Sequence, residues 1–82
     1  MTSGAAATAM DVAQWMVDRI RAEKLEYQEV MVHEIDTRIG SEWVYENENG
    51  NPAISPKVLT QFRKLHGDSI EWDRTERAWS VA

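Results

Sequence analysis

The sequence predicts a small α+β domain with three helices, a short strand or hairpin before the third helix, and a β-hairpin at the C-terminal end. Three observations carry this expectation. Apolar residues recur at helical spacing in three separate stretches, each with start or stop signals at its ends. The period changes to alternation in "SEWVYENENGNPAIS" and again in "SIEWDRTERAWSVA". The chain has 82 residues, too few to form two cores and still offset the entropy of ordering the backbone, so these elements share one core.

The opening "MTSGAAATAM" has neither a basic start nor a bulky apolar stretch, so it does not read as a signal peptide. Residues 1–8 are expected to form a disordered tail and residues 9–82 the single domain. In "TAMDVAQWMVDRIRAEK", Thr8 is placed to cap a helix, with Asp11 three residues on. Ala9, Val12, Ala13, Met16 and Ile20 follow at helical spacing, with Trp15 and Val17 on the flanks of that stripe. In "YQEVMVHEIDTRIG", Met31, Ile35 and Ile39 share a face with Val32 beside them, Glu29, His33 and Asp36 point away, and Gly40 is placed for a left-handed C-terminal cap.

Next, Trp43 and Tyr45 are expected on one side of a short strand, and Asn49 with Gly50 in a turn that accepts left-handed backbone. Ala53 and Ile54 return as a second strand, which Pro52 confines to an edge. The third helix has the clearest boundaries: Ser55 as cap, Pro56 at the first helical position and Gly67 as the stop. Its apolar face is Val58, Leu59, Phe62 and Leu65. The opposite face presents Lys57, Thr60, Gln61 and Lys64, with Arg63 on the flank. The final stretch alternates Ile70 and Trp72, turns near Arg74 and Thr75, and returns through Trp79 and Val81, which brings Trp72 and Trp79 near each other.

This order is the outline of a winged-helix-like domain, with the third helix as the reader and the last hairpin as the wing. One departure is plain. A helix-turn-helix joins its helices by about three to four residues, whereas here the stretch from Gly40 to Ser55 intervenes. The segments "DVAQWMVDRI", "YQEVMVHEI", "WVYENENGNPAI", "VLTQFRKL" and "IEWDRTERAW" together resemble a family of short bacterial proteins of unknown function with a winged-helix-like fold. The resemblance covers most of residues 11–79 and is most specific at "NENGN" and the helix that follows. It implies the fold and transfers no catalytic residue.

Composition excludes several functions. There are no cysteines, which removes disulfides, Cys-bound zinc, Fe–S clusters and thiol chemistry, and fits a reducing, cytoplasmic setting. No apolar run approaches the roughly 20 residues that cross a bilayer, so no membrane association is expected. The net charge of −5 disfavours non-specific attraction to nucleic acid or anionic lipid. Charge is uneven: residues 1–55 hold four Lys/Arg against ten Asp/Glu, net −6, and residues 56–82 hold five against four, net +1.

Specific chemistries fare no better. Setting Gly50 at the sixth position of a calcium loop puts Tyr45 at the first and Pro56 at the twelfth, where acidic ligands are needed. His33 has Glu29 and Asp36 nearby on its helix, but the other imidazole, His66, lies at the end of helix three, so no metal is expected. Glu23 and Glu26 are spaced as neighbours on an exposed stretch, where ordinary solvation is expected. No nucleophile elbow, converging Ser/His/acid set or glycine-rich phosphate loop is present, and neither an enzyme nor a cofactor is expected.

Two binding surfaces remain. The first is a nucleic-acid face made by Lys57, Gln61, Arg63 and Lys64 on helix three with Arg74 and Arg77 on the hairpin turn, residue types suited to base edges and phosphates. The second is a protein-interaction surface using Trp15 and Val30, which lie off the main apolar stripes of helices one and two, and Trp43. Trp43, Trp72 and Trp79 are more aromatic surface than so small a core must hide completely. A module that binds a partner protein or a second copy of itself, as a homodimer, is the primary reading; a DNA-binding regulatory domain is the alternative.

Overall fold

The computed structural model describes residues 7–82. Among these the chain forms α1 (Ala9–Glu23), β1 (Leu25–Tyr27), α2 (Gln28–Glu34), β2 (Val44–Glu46), β3 (Pro52–Ile54), α3 (Pro56–His66), β4 (Ile70–Asp73) and β5 (Ala78–Val81). The α+β class and the C-terminal hairpin are as the sequence predicts. Of the expected tail, residues 1–6 lie outside the described residues, Ala7 packs against the core and Thr8 caps α1.

The start of α1 is fixed by a reciprocal cap. The Thr8 hydroxyl accepts from the Asp11 amide at 3.2 Å, and the Asp11 carboxylate accepts from the Thr8 amide at 2.9 Å. The helix buries Val12, Ala13, Met16, Val17 and Ile20, so Val17 belongs to the core while Trp15 sits half-buried at its edge. Lys24 ends it in the left-handed region at φ 71°, its amide donating to the Ile20 carbonyl at 2.7 Å.

Strand β1 is not anticipated by the sequence. Residues 25–27 are embedded in helix-forming composition, and their polarity is inverted: Leu25 and Tyr27 are exposed and Glu26 is buried. Tertiary pairing overrides local preference. Leu25 lies opposite Ser80, Glu26 opposite Trp79 and Tyr27 opposite Ala78 on β5, which is the middle strand of an antiparallel sheet ordered β1-β5-β4.

Helix α2 buries Met31 and Val32 and then widens into a turn of π geometry over Ile35–Ile39, with Ile35 buried and Ile39 partly so. Gly40 does not adopt the expected left-handed cap. It is extended, at φ 161°, and its amide closes the widened turn by donating to the Ile35 carbonyl at 2.9 Å. The widened register satisfies the end of the helix without a residue in the left-handed region.

The predicted grouping of Trp43 with Tyr45 also changes. Trp43 ends a tight turn over Ser41–Trp43 and packs half-buried on the core, whereas Tyr45 is exposed in β2. Strands β2 and β3 pair as a separate antiparallel ribbon. Its turn is organised by Asn47, whose side-chain oxygen accepts from the Asn49 and Asn51 amides at 3.0 Å each, while Gly50 takes φ 78°.

Helix α3 begins as the sequence predicts, with the Ser55 hydroxyl accepting from the Lys57 amide at 3.3 Å and Pro56 in the first turn. It buries Val58 and Phe62, leaves Leu59 and Leu65 half-buried at the margin, and packs along α1. The core between these helices is filled by Met16, Ile20, Met31, Ile35, Ile54 and Phe62. The sheet closes one side of it through Ile70 and Trp79.

Candidate functional site

Trp72 on β4 and Trp79 on β5 are directly paired across the hairpin, with ring centroids 4.9 Å apart and planes at 50°. Trp79 is buried and meets Phe62 of α3 edge-on at 5.4 Å; Phe62 in turn meets His66 at 4.6 Å. Trp72 is 42% exposed. The aromatic chain therefore runs out of the core and ends on the surface.

Beside it lies a groove of about 350 Å³ between α3 and the hairpin. Leu59, Phe62, Arg63 and His66 form the helical wall, and Ile70, Trp72 and Trp79 form the sheet wall, with Gln28 at one end. Among the described residues, no carboxylate lines it. Side chains alternate along a strand, so β4 turns Ile70 and Trp72 toward the groove and Glu71 and Asp73 to the opposite face.

The six residues of the expected nucleic-acid face are distributed over three places. Lys57, Gln61 and Lys64 follow one face of α3 at helical spacing, the two lysines exposed and Gln61 half-buried. Arg63 is exposed at the wall of the groove. Arg74 and Arg77 belong to the exposed hairpin turn, where the Asp73 carboxylate accepts from the Thr75 and Glu76 amides at 2.9 and 3.1 Å. Arg77 takes φ 55°, and its carbonyl accepts from the Gln28 amide at 2.9 Å, which ties the hairpin turn to the start of α2. A smaller hollow there, about 230 Å³, mixes Arg77 with Glu29 and Glu76.

Of the expected protein-interaction residues, Val30 is exposed on α2, and Trp15 and Trp43 are half-buried against the core. The Arg19 guanidinium carbon stands 5.7 Å from the Trp15 ring centroid, so one face of that indole is already covered by a cation. The indole N–H of Trp43 is buried and has no hydrogen-bond partner among the described residues.

Sequence reasoning missed two features. One is that, of Trp43, Trp72 and Trp79, it is Trp72 that is strongly exposed; the signal was its place on the outer strand of a terminal hairpin, next to the turn. The other is an ion-pair network around Arg19. Its Nε meets the Glu26 carboxylate at 3.3 Å, its two terminal nitrogens donate to both oxygens of Glu34 at 2.9 Å each, and Arg38 Nε meets Glu34 at 3.0 Å. The forked pairing with Arg19 is the main cause that holds the Glu34 carboxyl below its ordinary pKa and the Arg19 guanidinium above its own. Trp15 with Arg19, and Glu34 with Arg38, are spaced i to i+4, the only trace of this network in the sequence.

His33 is exposed on α2, and among the described residues no three metal-ligating side chains converge. Residues 8–81 match the model of a family of unknown function. The chain belongs to the DUF6953 family. The match runs from the capping threonine to the last residue of β5, so every element of this DUF6953 fold lies within it. No curated protein and no solved structure gives a match to the chain. Among the described residues of this DUF6953 protein, no helix is long and apolar enough to cross a membrane.

Proposed function

We propose that this protein is a non-enzymatic binding module that receives a segment of another protein in the groove between α3 and the C-terminal hairpin. The observation that carries this reading is Trp72: a large aromatic ring packed against Trp79, yet 42% exposed beside a largely apolar trough. Rigid, partly exposed aromatics supply contact area at little entropic cost and recur at the centres of protein interfaces. The absence of cysteine fits a protein that works in a reducing, cytoplasmic compartment.

The arrangement also supports a winged-helix-like reading, with α3 in the reader position, β4 and β5 as the wing and β1 completing the sheet. The β2–β3 ribbon between α2 and α3 is what departs from a helix-turn-helix. DNA binding is the second reading, favoured by one observation: Lys57 and Lys64 are exposed on α3, and Arg74 and Arg77 on the hairpin turn. Against it stand the net charge of −5 and the placing of Glu71, Asp73 and Glu76 in and beside that turn.

Selection from a displayed peptide library tests the proposal. The native protein is expected to enrich a recognisable sequence pattern that Trp72→Ala does not enrich, and the enriched peptides are expected to shift NMR signals of Leu59, Arg63 and Trp72. Enrichment that survives Trp72→Ala removes the groove as the binding site, and failure to enrich any pattern removes the proposed role.

A further inference from the structure

We infer that the segment received by the groove is acidic: a short stretch of a partner protein that sets one bulky apolar side chain against Trp72 and Leu59 and carboxylates against Arg63. This rests on the binding role proposed above and adds the chemistry of the partner. Charge complementarity favours such an occupant. The chain carries 14 Asp and Glu residues against nine Lys and Arg, yet among the described residues no carboxylate lines the groove. Strand alternation turns Glu71 and Asp73 to the far face of β4, and the polar part of the wall is supplied by Arg63, His66 and Gln28.

The lining is largely apolar and carries the cationic Arg63, in a chain whose net charge is −5. An approaching basic segment would be drawn to the acidic surface formed by residues 1–55, net −6, rather than to this wall. An acidic segment is repelled by that surface and accepted at the groove, so the same charge distribution both admits the occupant and orients it. Arg63 also suits a carboxylate in particular, because a guanidinium presents a planar fork of donors.

A polyanion is disfavoured by the same charge distribution. Nucleic-acid affinity depends on neutralising several phosphates at once, and the groove offers one arginine. A second copy of the chain is disfavoured because each copy carries a net charge of −5.

The test is an NMR titration of the labelled full chain with three probes: a 12-residue synthetic peptide of Glu, Asp, Leu and Phe, the same peptide with Lys in place of each acid, and a 12-nucleotide oligo(dT). The acidic peptide is expected to shift the Trp72 indole signal and the Leu59 and Arg63 amides, and to bind at least about tenfold more tightly than the basic one. Arg63→Glu is expected to weaken the acidic peptide about tenfold and to improve the basic one, with the spectrum otherwise unchanged. That charge swap is a result that loss of folding cannot imitate. Equal binding of both peptides at the groove overturns the inference and leaves the binding role standing. Shifts with oligo(dT) alone, concentration-dependent shifts at the groove without any probe, or no shift with any probe overturn the inference as well. The last of these, joined to a failed library selection, overturns the binding role too.

Discussion

Trp72 and Trp79 form a cross-strand pair 4.9 Å apart in which one ring is 42% exposed and the other 7%. The exposed ring packs against the buried one. Trp79→Ala removes a ring that also packs on Phe62 and is expected to cost about 3 to 5 kcal/mol, while Trp72→Ala loses the aromatic pairing, about 1 kcal/mol. Urea denaturation of the two variants measures the difference; equal costs would mean that Trp72 is as much a core residue as its partner.

The Arg19–Glu34 pair makes stability depend on acid. The folded protein holds the Glu34 carboxyl below its ordinary pKa, chiefly because Arg19 donates a forked pair of hydrogen bonds to it. Its contribution is therefore complete above the unfolded value, near about pH 4.3, and is lost as pH falls through the lower folded value. Glu34→Gln is expected to flatten the acid limb of the stability curve in that window. Unfolding midpoints measured between neutral pH and about pH 2.5 check this, and parallel curves would show that the pair does not couple to folding.

Thr8 closes a reciprocal cap with Asp11 at the first turn of α1. Thr8→Ala is expected to cost about 1 kcal/mol and to speed amide exchange at Asp11 while leaving α3 unaffected. Denaturation joined to hydrogen exchange reports both quantities.

A mixed-sequence DNA duplex separates the two readings of α3. At low and then moderate salt, no salt-sensitive shifts are expected at Lys57, Gln61, Lys64, Arg74 or Arg77. The double variant Lys57→Glu, Lys64→Glu is expected to unfold within about 0.5 kcal/mol of the native protein, as exposed substitutions do. Salt-sensitive shifts clustered on those residues, and lost in the double variant, would establish α3 as a DNA-reading helix.

What could be read from the chain beforehand follows a physical divide. Features written in local chemistry were legible: the Thr8 and Ser55 caps, the Gly67 stop, the left-handed Gly50 and the pairing of Trp72 with Trp79. Features decided by distant partners were not. Residues 25–27 look helical because nothing near them reveals that β5 will pair with them, and Glu26 looks like a solvated acid because Arg19 lies seven residues away on another element. Gly40 looked like a left-handed cap because glycine permits that conformation; the π-widened turn over Ile35–Ile39 made it unnecessary. The groove escaped notice for the same reason, since its walls come from α3 and β4–β5 and only their docking creates it.

The pairing of Leu25 with Ser80 has a kinetic consequence. Joining those positions closes a loop that contains α2, α3 and most of the chain, and contacts of such long sequence separation slow folding because their closure entropy must be met before they return any stability. Pairing with β5 accompanies the extended backbone of residues 25–27, whose own composition favours helix. Substitutions that strengthen helix over residues 24–27 are therefore expected to slow folding more than they weaken the finished protein, which refolding rates set beside urea denaturation would show.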